Sequence, residues 1–282
     1  MPERQRVVVV PGIAGLSGEL GRLLVAVGVF DGLHRGHAYL LRRLVAEARR
    51  RDARPAVLTF DAHPDAVVRG EAPPLLLDPD ERLVRLAAAD VEVVVVVHFD
   101  DALRHTPYGE FVASIRERVD LAGFLMTPDA AFGYERGGTP ETLGRLGEAS
   151  MPPFDVVVVP PFLLDGRPVR SSDVRSAVAE GRLEDARHLL GRRHAVSGAL
   201  RPSGLLEPPM PVALPPRGAY DGGVGRAWSL DLAPSRDRRR TVVEVDDEGR
   251  VRLAPASAGR RRSPRERPAS ARMRVVFGRR SG

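Results

Sequence analysis

The stretch GVFDGLHRGH, residues 28–37, sets one aspartate and two histidines among three glycines, directly after an apolar run. His34 and His37 stand three residues apart at an expected helix start, a spacing that aims both rings toward one site. A helix start favours an anion, because its unpaired N–H groups and its dipole both meet negative charge there. Gly32 and Gly36 let a phosphate chain approach the backbone closely. Histidines in that position can donate to a transferring phosphate as its charge develops. Two plainer readings fit the same residues. One is a glycine turn with two surface histidines; the other is a two-histidine metal site, for which no third ligand stands nearby in sequence.

A second candidate lies in SSDVRSAVAEG, residues 171–181. The Ser171 and Ser172 hydroxyls at a helix start, with the Arg175 guanidinium close by, suit phosphate oxygens. An ordinary serine cap and a surface arginine would look the same. Weaker signals are Asp61 and His63 in TFDAHP (59–64), which also read as a turn, and Asp129, a ligand-facing carboxylate or a turn acid. The Phe132–Gly133 pair reads as a loop wall or as an apolar anchor before a turn.

These residues need elements to hold them. RLLVAVGVF (22–30), RPAVLTF (54–60), VEVVVVVHF (91–99), LAGFLM (121–126) and DVVVVP (155–160) are β-branched or apolar runs of strand length. Helical spacing from His37 to Arg51 and cap-plus-proline starts at Asp78-Pro79, Thr106-Pro107 and Thr139-Pro140 place helices between them. Glu81 stands at the capping-box position of the first of these. Such alternation predicts a mostly parallel sheet covered on both faces, with ligands bound beyond the carboxyl ends of its strands. Helices over 171–181, with serine caps and a glycine stop, and over 184–192 follow.

After about Ser197 the pattern changes. Residues 201–223 read as a proline-rich linker or irregular loop, RTVVEVDDEGRVRLAP as a hairpin around 247–249, and ARMRVVFG as one more strand. ASAGRRRSPRERPAS between the last two reads as disordered. The expectation is a small or incomplete β domain.

Composition narrows the chemistry. The 282 residues contain no cysteine, which removes disulfides, zinc–thiolate and iron–sulfur sites and cysteine nucleophiles. All 43 lysine-or-arginine residues are arginine, so lysine Schiff bases and a GxxxxGK phosphate loop are absent too. The net charge is +6, but residues 231–282 hold 15 arginines against seven acids, which leaves the first 230 residues at −2. Nucleic acid is therefore not expected as a partner of the body, and the basic end reads as solvated. No apolar run reaches the ~18 residues that span a bilayer, so a cytoplasmic protein without membrane contact is expected.

GVFDGLHRGH resembles the opening signature of the FAD synthetase domain in bacterial bifunctional riboflavin kinase/FAD synthetases, of the HxGH nucleotidyltransferase superfamily. TFDAHP, FGYERGG (132–138) and SSDVRSAVAEGRLEDARHLLGR (171–192) resemble later stretches of the same family, in order. The resemblance covers about residues 22–200. It implies an α/β, Rossmann-like nucleotidyltransferase domain with a mostly parallel sheet over 1–197, then a small or incomplete β-barrel-like region over 198–282.

It also implies that ATP and FMN, as small-molecule substrates with Mg²⁺, give FAD and pyrophosphate. His34, His37 and Arg175 would be catalytic. Gly28, Phe30, Asp31, Gly32, Gly36, His63, Asp129, Phe132, Gly133, Ser171 and Ser172 would bind the nucleotides, Asp31 by positioning Mg²⁺ or by holding the turn. No residue set is assigned as a resident metal site, and oligomeric state is not implied. Val29 stands where the family usually has asparagine, Asp173 where it has threonine, and TPDAA (127–131) where it reads approximately GDDFR. The GxPTAN-like motif of the kinase half is missing; only LPPRGAYDGG (214–223) resembles its later LPxGVY stretch. A degenerate kinase region follows. The alternatives are a divergent nucleotidyltransferase for another phosphorylated acceptor and an inactive flavin- or nucleotide-binding protein.

Overall fold

Val93–Val97 shows why a parallel sheet forms here: five consecutive valines, four of them buried, make a strand with both faces covered. In the computed structural model, which describes residues 7–227, 239–253 and 272–281, this segment is β4 of a six-stranded, wholly parallel sheet. Its companions are β1 (Val8–Pro11), β2 (Arg22–Val27), β3 (Arg54–Phe60), β5 (Asp120–Met126) and β6 (Asp155–Val158), in the order β1-β4-β3-β2-β5-β6. The chain fills one side of β2 with β3 and β4 and then crosses to the other with β5, so the order reverses between β2 and β5. At such a switch point the loops leaving the carboxyl ends of two neighbouring strands diverge and leave a crevice.

The strands expected at 22–30, 54–60, 91–99, 121–126 and 155–160 are present. β1, from VVVP, was not expected; it is an edge strand with Val8 and Val9 exposed. The connecting helices are α1 (Arg35–Arg50), α2 (Asp65–Val68), α3 (Pro79–Ala88), α4 (Asp101–Arg104), α5 (Tyr108–Arg116) and α6 (Pro140–Glu148), followed by a short hairpin of β7 (Leu163–Leu164) and β8 (Arg167–Pro168).

Cap chemistry sets several of these starts. Asp78 accepts the N–H groups of Asp80 and Glu81, while Thr139 and Thr142 cap α6 reciprocally. Thr106 departs from expectation, because its hydroxyl donates back to Ala102 O and Pro107 takes the cap position of α5.

Two further helices follow, α7 (Ser171–Ala179) and α8 (Leu183–Leu190), the latter stopped by Gly191 in the left-handed conformation. The expected serine cap of α7 is displaced by one residue: Arg170 holds the cap position and Asp173 accepts its N–H. Ser171 is thereby the first helical residue.

The region read as a linker and incomplete β domain is more ordered than its composition suggested. Strands β9 (Ala195–Leu200), β10 (Leu205–Glu207), β11 (Gly218–Arg226), β12 (Arg239–Val245), β13 (Val251–Leu253) and β14 (Arg272–Arg280) close an antiparallel barrel in the order β10-β13-β12-β11-β14-β9. Residues 201–223 thus contain β10 and part of β11. The β12–β13 hairpin and the last strand match expectation. Its core is Val196, Leu206, Tyr220, Val243, Val245, Val251, Val275 and Phe277, and the Tyr220 hydroxyl donates to Pro216 O. ASAGRRRSPRERPAS lies outside the described residues.

The chain forms two compact units. The first comprises residues 1–30, 36–73 and 85–168; the second, 31–35, 74–84 and 169–282. No helix among the described residues is long and apolar enough to cross a membrane.

Candidate active site

The GVFDGLHRGH stretch leaves β2 through a strained turn. Phe30 (φ 52°) and Leu33 (φ 38°) hold left-handed backbone although neither is glycine, a cost of order 1–3 kcal/mol each that surrounding structure must absorb. Both are buried. Gly32 (φ 77°) needs no such support, yet a Cβ there would meet Leu76 at 2.9 Å, so only glycine fits.

In the second unit Asp31 is the hub. Its carboxylate, 3% exposed, accepts the Leu76 N–H (3.0 and 3.1 Å to the two oxygens), the Leu77 N–H (3.2 Å) and an Arg175 guanidinium N–H (2.7 Å). Arg175 Nε donates to Pro74 O (3.0 Å), and the Ser171 hydroxyl donates to Asp31 O (3.0 Å). Asp31, Arg175 and Ser171 therefore form one clasp, and Leu76 beneath it is buried with Val174, Ala177, Val178, Ala186, Leu190 and Ala213. Of the two roles open to Asp31, these bonds perform the holding of the turn. Ser172 is exposed one residue further along α7.

His34 is buried in the same unit, and burial, followed by the nearby Arg192 charge, lowers its pKa to about 4. At neutral pH it is an uncharged imidazole with one N–H to donate. Arg192 was not singled out from the sequence. It donates to Gly32 O (2.5 Å) and Leu33 O (3.1 Å), fixing the loop that carries His34. Its one sequence cue is position: it follows the glycine that ends α8, where an arginine commonly meets free carbonyls. The N–H donors of Leu76 and Leu77 had no cue, since backbone groups carry no residue signature.

In the first unit the remaining candidates follow the carboxyl ends of adjacent parallel strands. Gly28 and Phe30 follow β2, His63 follows β3, and Asp129, Phe132 and Gly133 follow β5. Gly36 and His37 lie in the first turn of α1, with the His37 ring 5.2 Å from that of Phe30. Gly28 N donates to Leu58 O (3.0 Å).

Several of these are committed to local structure. His63 Nδ1 accepts the Asp65 N–H (3.2 Å) at the start of α2. The Asp129 carboxylate accepts the Thr127 hydroxyl (2.8 Å), and Asp129 O accepts from Arg136. Phe132 packs on Phe111 and Phe124 as an apolar anchor, and Gly133 (φ 76°) lies where a Cβ would come within 2.7 Å of Tyr108 N. Asp61, weakly signalled in sequence, instead pairs with His98 beyond β4: Nδ1 lies 2.6 Å from the carboxylate, and that hydrogen bond pushes the His98 pKa up. Among the described residues no three His, Asp or Glu side chains gather to hold a metal ion.

A family model described as FAD synthetase matches residues 17–173, from the approach to β2 through the first turn of α7. The chain belongs to the FAD synthetase family. Curated relatives extend the likeness. A bifunctional riboflavin kinase/FMN adenylyltransferase of Escherichia coli K12 is 32% identical over 177 residues, covering 62% of this chain and 56% of that one. Another, from Listeria monocytogenes, is 25% identical over 179 residues, covering 63% and 56%. The match spans little more than half the length of these relatives, and the family model ends at residue 173, ahead of the barrel. The fold itself is shared further: a crystal structure described as a macrolide-efflux protein from Streptococcus pneumoniae has a TM-score of 0.78, with 98% of this chain and 91% of that chain covered at 21% identity. That likeness is one of fold alone. As a member of the FAD synthetase family, the chain carries a parallel sheet like that of Rossmann-like nucleotidyltransferases, followed in sequence by a small closed β-barrel.

Proposed function

We propose that the chain is an FMN adenylyltransferase without riboflavin kinase activity. An FMN phosphate oxygen attacks the α-phosphorus of ATP, the bond from that phosphorus to the bridging oxygen breaks, and FAD and pyrophosphate leave. The observation that carries this reading is the clasp, in which residues 140 positions apart meet as Ser171 bonds to Asp31 O while Arg175 bonds to the Asp31 carboxylate. Two stretches matching separate parts of the family signature are thereby held as one structure.

Roles follow from chemistry. The neutral His34 donates an N–H to a phosphate oxygen as charge develops on the departing pyrophosphate. His37 and the amide of Gly36 do so from the first turn of α1, and Ser171 and Ser172 from the start of α7. Arg175 supplies fixed positive charge beside the loop, and Gly32 permits close approach of the chain. Gly28, Phe30, His63, Asp129, Phe132 and Gly133 are the residues assigned to adenine and flavin. Mg²⁺ arrives with ATP as part of the substrate, which fits a chain whose own Asp31 is engaged by N–H donors. Residues 1–197 form the adenylyl-transfer part and 198–282 the degenerate kinase-like part.

Purified protein incubated with Mg²⁺-ATP and either FMN or riboflavin, with flavins resolved by chromatography, tests the reading. FAD from FMN, with neither FMN nor FAD from riboflavin, is expected. ATP consumption that yields no FAD would sink the FMN assignment and favour a different phosphorylated acceptor. Ala130 and Ala131, small residues in the loop after β5, support that second reading.

A further inference from the structure

We infer that the barrel serves as a positioning frame for the phosphate-side loop, acting through the segment 74–81 as a strap. At its inner end the strap holds the loop: Leu76 and Leu77 donate to Asp31, and Pro74 O accepts from Arg175. In its middle Leu75 makes a two-sided backbone connection to the segment before β11, donating to Pro211 O (2.9 Å) and accepting from Ala213 N (2.8 Å). Ala213 O in turn bonds to the buried His194 Nε2 (2.8 Å), and His194 O accepts the Phe277 N–H of β14.

At its outer end the strap is gripped by charge. Strand alternation sends Met273, Val275 and Phe277 of β14 toward the barrel core, and therefore sets Arg272 and Arg274 on the opposite face. Arg272 bonds to Asp78 and Asp80, on either side of the first residue of α3. Arg274 Nε bonds to both Glu81 oxygens (2.9 and 3.0 Å), and Ser197 of β9 donates to the same carboxylate (3.2 Å). The Arg274 and Glu81 side chains are 5% and 2% exposed.

An outward-facing arginine that is almost wholly buried makes sense only if the segment covering it is meant to be there. Buried ion pairs add little net stability, and an attested use of them is to fix the register in which segments dock. The barrel strand, the strap and Asp31 thus form a continuous bonded route that ends on the loop carrying His34. Arg272, Arg274 and Glu81 are positioning residues; they touch no substrate. A barrel stripped of its own kinase motif keeps this task.

The test uses the full chain. A variant combining Arg272→Ala, Arg274→Met and Glu81→Gln removes the grip and leaves neither Arg274 nor Glu81 as a lone buried charge, and amide exchange and adenylyl transfer are both measured. Exchange at Leu76, Leu77 and residues 31–35 should accelerate about tenfold while β2–β5 stay protected, and kcat/KM for ATP should fall about tenfold with the acceptor KM within about twofold. Arg272→Lys alone should retain wild-type values. Wild-type exchange at Leu76 and Leu77 in the triple variant would overturn the inference, as would a uniform loosening that includes β2–β5. Should the triple variant not fold, Arg272→Ala, on the partly exposed residue, is read in the same way. The turnover part rests on the adenylyl-transfer reading, whereas the exchange part does not. Wild-type protein that makes no FAD would therefore defeat that reading and leave the strap to be decided by exchange.

Discussion

The two units place their charges differently. The sheet unit is built around an apolar centre of valines, leucines and phenylalanines, and its Asp61–His98 pair stands exposed beyond the strand ends. The second unit buries charge and makes it connect segments distant in sequence: Asp31 with Arg175, and Glu81 with Arg274. Apolar packing is indifferent to which segment supplies the carbon atoms and to pH. A buried carboxylate accepts one partner geometry. The second unit should accordingly be the more specific of the two, and the more acid-sensitive through histidines that burial holds below their ordinary pKa.

Removing Asp31 should break this contrast open most widely. Asp31→Ala leaves Arg175 and two backbone N–H groups without their acceptor, and a loss of about 3–5 kcal/mol is expected from urea unfolding. Asp31→Asn keeps an oxygen for the Leu76 and Leu77 amides and should lose less. A cost for Asp31→Ala under ~1 kcal/mol, as for a surface pair, would mean that the clasp is ornamental. In the sheet unit, Leu58→Ala removes a buried side chain and should cost about 2–5 kcal/mol by cavity formation. The sizes overlap, but the Leu58→Ala cost should be the same at pH 7 and pH 5. A cavity cost that changed across that interval would contradict the division between the units.

This division also governed what could be read from the amino-acid sequence. The sheet was legible because each strand is a continuous apolar run, such as VVVVV at 93–97, bounded by caps and turns that announce themselves locally. β1 escaped because a four-residue edge strand is half exposed and has no flanking cap. The barrel was legible in part, through the β12–β13 hairpin and β14, but β11 reads GAYDGGVGR, whose glycines permit close strand crossing yet suggest a loop when met without partners. In the site, His34, His37, Ser171 and Arg175 were recognisable as residue types at helix starts. The clasp was not, because its other half is the backbone of Leu76 and Leu77. Arg192 was hidden for a related reason: its partners are carbonyls more than 150 residues away.

Acid should separate the units further. Burial lowers His34 and His194 to about 4 from an ordinary 6.5, with Arg192 adding to the effect in each and a hydrogen bond to Ala213 O opposing it for His194. A histidine depressed in the folded state binds its proton earlier when unfolded. Its contribution is thus fully present above pH 6.5 and is lost as pH falls toward 4, by up to about 1.4 kcal/mol per pH unit for each histidine. Stability should therefore drop steeply between pH 6.5 and 4, and His34→Gln should remove part of that slope. An unchanged slope in this variant would mean that His34 keeps an ordinary pKa.

The smallest effect is the one that tests the comparison from its other side. His98 is held above its ordinary pKa by the hydrogen bond to Asp61 and by that carboxylate's charge. For a raised pKa the sign reverses: any stabilisation is present below 6.5 and disappears as pH rises through the folded value. Solvent screens this pair, because the His98 side chain is 74% exposed. His98→Ala should leave the urea midpoint where it was, although the imidazole resonances of the wild-type protein titrate above 6.5. Asp61→Asn should return that titration to the ordinary range, again without moving the midpoint. A shifted pKa without a shifted stability is what an exposed pair produces. Were His98→Ala to destabilise the protein as Asp31→Ala does, exposure rather than burial would be carrying the energy, and the distinction between the units would fall.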